Sequence, residues 1–247
     1  MNAFRALLGI FLVILALSIA ILAQSYVVVV QPTDADGTID HNVTWQWNHH
    51  TYSLEYSVPI SELEGHQNLT ILRNYCAGLI YPKYITPDES TVRSIAESLS
   101  TMTDGLSDVD CISFVNKFVN AAIDYHSDSS IHGTSEYYQF PIETLASKKG
   151  DCEDMALLEI SILKAMGYDS VPIVSMDHCT VGVNVEGASG NKIDGLVTDY
   201  YLVEPVTGRS LGDSSSVGVP LSKGISLAIF SLLIGFSVFV GVIKRQI

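Results

Sequence analysis

Two long apolar runs, one near each end, constrain this chain more than any other feature. Residues 6–23 and 225–243 carry no charge and span 18 and 19 residues. A helix rising about 1.5 Å per residue needs roughly 20 residues to cross the ~30 Å hydrocarbon layer of a bilayer. The C-terminal run, closed by Lys244 and Arg245, reads as a transmembrane helix, residues 224–243. The N-terminal run, within residues 1–30, reads as a transmembrane signal-anchor or, from the small residues of Ser18-Ile19-Ala20, as a signal peptide. The positive-inside bias keeps Arg5 and the Lys244-Arg245 pair in the cytoplasm, which places residues 31–222 on the extracytoplasmic side of the cell membrane.

Charge agrees with that layout. All 27 acidic residues lie between Asp34 and Asp213, and once Arg5, Lys244 and Arg245 are set aside, ten of the 13 basic residues remain to oppose them, a net charge of −17. Nucleic acid and anionic lipid are poor partners for such a surface. Two tripeptides, Asn42-Val43-Thr44 and Asn68-Leu69-Thr70, are glycan acceptors if the host glycosylates exported proteins. Four cysteines are too few for a disulfide scaffold. With one of them a nucleophile, Cys76, Cys111 and Cys179 allow at most one bridge.

Between the apolar runs, Thr44 to Trp47 and Tyr52 to Ser57 alternate apolar with polar around Asn48-His49-His50, the pattern of a hairpin with one buried face. Its tryptophans, Trp45 and Trp47, either pack on the core or shape a groove, and packing is the simpler role. Thr86-Pro87-Asp88-Glu89 announces a helix with Thr as N-cap, followed by Val92, Ile95, Ala96 and Leu99. Ser107 caps a second helix, whose stripe is Cys111, Val115, Phe118, Ala122 and Tyr125. From Met155 to Met166 the chain is apolar on nearly every side, as a buried helix is, and Gly167 stops it in a left-handed conformation. Strands follow over residues 170–175, 180–185 and 200–203, with residues 187–195 as a hairpin loop and Ser214 to Ser216 in a linker, 214–223.

Cys152 falls at the start of the buried helix, where unpaired N–H groups and the positive end of the helix dipole favour a thiolate. A cysteine there is also commonly structural, and Asp151, Glu153 and Asp154 oppose a thiolate unless they cap the helix or bind a cation. His178, at the head of the second strand, can reach a helix N-terminus as a general base. Glu204 ends the last strand and is the acid that would hold the imidazole; Asp199, of opposite parity, competes. Zinc on Cys152, His178 and Cys179 fails because adjacent strand residues face opposite ways.

Gly150-Asp151-Cys152-Glu153-Asp154 with Ala156-Leu157-Leu158, then His178 before Val181-Gly182-Val183, then Leu202-Val203-Glu204-Pro205-Val206-Thr207-Gly208, resembles the transglutaminase-like superfamily. Phe140-Pro141-x-Glu143-Thr144-Leu145 resembles the archaeal-type members, and the likeness is closest to prokaryotic transglutaminase-like cysteine proteinases. The resemblance covers residues 86–213 and leaves 31–85 as an N-terminal β-hairpin extension. It implies an α+β, papain-like core, a cysteine-bearing helix on an antiparallel sheet, set between two transmembrane helices. It assigns Cys152 as nucleophile, His178 as base and Glu204 as acid, where many relatives carry Asp. Cys179-Thr180 stands where many relatives place an aromatic residue. Some relatives bind calcium through the carboxylates that match Asp151, Glu153 and Asp154. Helix capping by Asp151 and Asp154 explains the same residues, and the chemistry requires no cofactor.

The reading is a membrane-anchored thiol enzyme acting on amide bonds of proteins or cell-envelope peptides, peptidase or amidase ahead of acyl transferase, with no obligate partner. The Cys152 N–H is an oxyanion donor, with Tyr138 or Gln139 as the second. The competing reading is an inactive ectodomain that binds without catalysis.

Overall fold

The hairpin pattern around Trp45 has a physical reason that the structure makes plain: one face has a core to cover. In the computed structural model, which describes residues 37–67, 81–134, 137–175, 178–193, 199–209, 211 and 219–220, β1 (Thr38–Trp47) pairs antiparallel with β2 (His50–Pro59). Asn48 and His49 turn the chain at φ 48° and 64°, both left-handed, as a two-residue hairpin turn demands. Val43, Trp45, Leu54, Tyr56 and Val58 are buried, and the Trp45 ring meets Phe114 and Phe118 edge-on at 5.2 and 5.3 Å. The tryptophan therefore packs into the common core, as the simpler role requires. Both apolar runs, Cys76 and the second glycan tripeptide lie outside the described residues. Among the described residues no helix is long and apolar enough to cross a membrane.

Helix α1 (Ile60–Gln67) leads, past a 3-10 turn at Tyr81–Lys83, to α2 (Ser90–Met102). The start of α2 corrects the expectation of a helix capped by Thr86. Residues 86–89 form a turn instead, with Glu89 N–H on the Thr86 carbonyl at 3.3 Å, and Thr86 N–H donates to Ser161 Oγ at 3.0 Å. The cap comes from another element: Glu62 of α1 accepts from Ser90 N–H at 3.1 Å, Ser90 Oγ at 3.0 Å and Thr91 Oγ1 at 3.0 Å. Helix α3 (Asp108–Ala122) begins as its sequence directs, with Ser107 Oγ accepting from Asp110 N–H at 3.2 Å. Replacing Ser107 by Ala should cost about 1 kcal/mol of stability, read as a lower urea midpoint at unchanged slope.

The α3 stripe holds from Cys111 to Ala122 but does not include Tyr125. Ile123 turns extended, and Asp124–Tyr125 becomes β3, paired in parallel with β4 (Lys149–Gly150), which leaves Tyr125 54% exposed. Short helices α4 (Asp128–Ile131) and α5 (Pro141–Ser147) lie between β3 and β4.

Helix α6 (Cys152–Ala165) is the axis of the fold, buried along nearly all its length as its apolar circumference predicts. Helices α2, α3 and α5 and strands β5 and β6 all pack against it. Gly167, at φ 94°, ends the turn after α6 in the left-handed conformation expected of it. The sheet runs β7 (Lys192–Ile193), β8 (Tyr200–Val203), β6 (Cys179–Asn184), β5 (Asp169–Val174) and β9 (Val219–Pro220), antiparallel at every junction. An α+β core with the cysteine helix against an antiparallel sheet is what the resemblance implied. The expected loop between the last two long strands contributes an edge strand, β7. Cys111, Cys152 and Cys179 are all free thiols.

Candidate active site

Each residue of Gly150-Asp151-Cys152-Glu153-Asp154 has a distinct structural duty. Asp154 is fully buried and folds back beneath the helix start, taking Gln139 N–H on Oδ1 at 2.8 Å and the Gln139 side-chain amide on Oδ2 at 2.6 Å. Asp151 N–H also reaches Asp154 Oδ2, at 3.4 Å, so the carboxylate joins the segment that precedes α5 to the head of α6. Position 150 is glycine because a Cβ there would lie 2.7 Å from Asp154 Cβ. Cys152 occupies the first turn of α6, 8% exposed, with Sγ donating to Glu153 Oε2 at 3.0 Å.

The same contacts correct the oxyanion assignment. Both kinds of donor on Gln139 are committed, the backbone N–H to Asp154 and the amide to Asp154 and to the Lys149 carbonyl at 3.0 Å. Gln139 is scaffold under the helix start, not the second donor. Tyr138 is buried with its ring 5.8 Å from that of Tyr84.

His178 immediately precedes β6 and Glu204 immediately follows β8, and the central pairing Gly182↔Leu202 brings the two strand ends together. His178 Nε2 lies 2.7 Å from Glu204 Oε2. Thr180 Oγ1, one pleat on, bonds the Val203 carbonyl and ties the strands beside them. Asp199, the competing acid, is instead on the surface, 2.5 Å from Lys192 Nζ. Strand β6, headed by His178, packs against α6, which begins at Cys152.

Among the described residues two acid-rich groupings could hold a cation. Asp151, Cys152 and Glu153 form one, and Asp128, Asp151 and Asp154 the other, each with ligand atoms within 4.8 Å of one another. The expected residues Asp151, Glu153 and Asp154 are divided between the two groupings, and Asp128 of α4 joins Asp151 and Asp154 in the second. Asp128 also accepts Tyr137 N–H at 2.5 Å. Nothing local marks Asp128 in the sequence, where it stands in a loop of Ser, Asp, His and Gly.

Residues 81–177 match the family model described as bacterial transglutaminase-like cysteine proteinase, BTLCP. Over this segment, less than half of the chain, the protein is similar to the transglutaminase-like cysteine proteinases. The match includes Cys152 and its neighbouring carboxylates and ends one residue before His178. No curated protein matches the chain. Among solved structures, EGTA-treated LapG from Legionella pneumophila is 18% identical at a TM-score of 0.37, over 55% of this chain and 80% of that one. A candidate cysteine protease from Cytophaga hutchinsonii is 12% identical at 0.34, over 73% and 71%. A candidate protease from Parabacteroides distasonis is 12% identical at 0.37, over 74% and 43%.

In this transglutaminase-like segment the electrostatics oppose a thiolate. Burial pushes the Cys152 thiol well above its ordinary range and Glu153 adds to the shift, which outweighs the Cys179 backbone hydrogen bond. Burial, then Asp154 and Glu153, raise Asp151 to about 9. Burial raises Asp154 to about 7 against the stabilising hydrogen bonds from Gln139. Two turns along α6 on the Cys152 face, Glu159 is completely buried, and neither of its oxygens has a hydrogen-bond partner among the described residues. Burial, reinforced by Glu204, pushes that carboxyl well above the ordinary carboxylate range.

Proposed function

We propose that this protein is a membrane-anchored thiol peptidase that cleaves amide bonds of proteins or envelope peptides on the extracytoplasmic side. One observation carries the reading: the 2.7 Å contact of His178 Nε2 with Glu204 at the head of the strand that meets the Cys152 helix. With Nε2 turned to the acid, Nδ1 is the nitrogen that takes the thiol proton. Sγ then attacks the substrate carbonyl carbon, and the oxyanion is held by the Cys152 N–H with Tyr138 from the segment that precedes α5. The imidazolium returns its proton to the departing amine, leaving a thioester. His178 next deprotonates water, which hydrolyses the thioester and regenerates the thiol.

Calcium fits the carboxylates. Among the described residues Asp151 Oδ1 is buried without a hydrogen-bond partner, and oxygen-only ligands held close together suit a hard cation. Asp128, Asp151 and Asp154 would hold the ion. When bound it would supply positive charge beside Cys152, which offsets the repulsion that Asp151 and Glu153 exert on a thiolate.

Treatment with 4-nitrophenyl acetate tests the reading directly. The expected result is a burst of 4-nitrophenolate with one acyl group on the peptide that contains Cys152, and no burst from Cys152→Ala. Acylation spread over several residues, or an equal burst from the Ala variant, points instead to an inactive binding ectodomain. Adding a primary amine separates hydrolysis from transfer: a peptidase releases free acid, whereas a transferase delivers the acyl group to the amine.

A further inference from the structure

Helix α3 reaches across the fold to the turn that follows the acid. Asn120 Nδ2 donates to the Pro205 carbonyl at 3.0 Å and the Val206 carbonyl at 2.8 Å. One turn earlier, the fully buried Asn116 donates through Nδ2 to the Arg209 carbonyl at 2.5 Å. All three acceptors belong to one tight turn, closed where Glu204 and Arg209 meet as an antiparallel bridge. Within it, Val206 N–H donates to Glu204 Oε1 at 3.3 Å, while Oε2 of the same carboxylate meets His178.

This turn cannot be held by sheet hydrogen bonds in the ordinary way, because Pro205 has no N–H to continue the ladder. The amide of Asn120 supplies what the ladder lacks, spending both of its N–H bonds on consecutive carbonyls. The turn is in turn shaped to receive that side chain. Gly208 is at φ +59°, and a Cβ there would lie 2.9 Å from both Cγ and Oδ1 of Asn120. The contacts begin on Pro205, the residue next to Glu204.

We propose that Asn120, assisted by Asn116, is a positioning residue that fixes the Glu204 carboxylate and, through it, the His178 imidazole. It touches neither substrate nor thiol. The inference rests on the triad reading above and deepens it by naming what aims the acid.

A double-mutant cycle in the intact protein tests it, with 4-nitrophenyl acetate acylation of Cys152 as the readout. Asn120→Asp keeps the side chain's size but turns an acceptor toward two carbonyls. It should slow acylation about 10-fold to 100-fold, the scale of an ångström-sized misplacement. It should also broaden or remove the downfield proton resonance of the His178–Glu204 hydrogen bond. In a Glu204→Gln background the same change should have no further effect, because Asn120 acts only through that carboxylate. Equal slowing in both backgrounds would show a general structural role and overturn the proposal, as would unchanged acylation by Asn120→Asp alone. Should that variant not fold, Gly208→Ala pushes on the same contact from the other side, with the same expectations. If Glu204→Gln alone leaves acylation intact, the triad reading falls and takes this inference with it. That outcome is distinct from an essential Glu204 that ignores Asn120.

Discussion

His178→Ala should slow acylation of Cys152 by about 10³-fold and leave the fold in place, because this thiol has little reactivity of its own. The sequence suggests a thiolate favoured by a helix N-terminus, and the structure reverses that balance: burial and Glu153 hold the proton on sulfur. A positioned base contributes on the order of 10²–10⁴ in rate, and a thiol whose proton is held this firmly belongs toward the upper end. The histidine ring is partly exposed, with its side chain 30% accessible, so truncation opens no large core cavity and the melting temperature should barely move. Glu204→Gln should cost less, about 10²-fold, since an amide can still hold the ring but cannot balance an imidazolium. The measurement is the burst rate of 4-nitrophenolate for each variant, with circular dichroism to confirm folding. A Cys152 that reacts at the same rate with and without His178 would remove the base from the mechanism.

What could be read from the sequence follows from how each signal is carried. Helix α6 and its cysteine were visible because an apolar circumference and a terminal glycine are local patterns, and β8 with Glu204 at its end was visible from strand alternation. Elements whose cause is distant were not. The α2 cap comes from Glu62, in a stretch whose composition is ambiguous, so the local Thr-Pro-x-Glu pattern points three residues too early. Tyr125 sits at helical spacing from Ala122 only by coincidence of count, and pairing with β4 decides its conformation. Gln139 offered an oxyanion donor on paper and serves Asp154 in fact. Asn116 and Asn120 are polar interruptions of an amphipathic helix, and only the turn they grip explains them.

The same buried carboxylates should make stability fall as pH rises, opposite to the usual behaviour of an acidic protein. Asp154, at about 7, and Asp151, at about 9, both lie above the ~3.9 of an aspartate in an unfolded chain. Above about pH 4 the unfolded state releases these protons while the folded state keeps them, so the unfolded state binds fewer and stability declines. The slope from Asp154 is at most about 1.4 kcal/mol per pH unit and lasts until about pH 7. Asp151 carries the decline further, toward pH 9, with less than its full weight because the two carboxylates repel each other. In a calcium chelator the melting temperature should therefore be higher at pH 5 than at pH 8. Calcium binds the deprotonated carboxylates, so it should restore stability at pH 8 and do little at pH 5, by about 2.7 kcal/mol at a hundredfold excess over its dissociation constant. Asp128→Asn should weaken that rescue by removing one of the three ligands, and magnesium, which tolerates crowded carboxylates poorly, should substitute weakly. Thermal unfolding at both pH values, with chelator and with calcium, decides both parts. A melting temperature that climbs from pH 5 to pH 8 in chelator would mean the carboxyls are ionised in the fold, and calcium-independent stability at pH 8 would leave Asp128, Asp151 and Asp154 as a purely structural cluster.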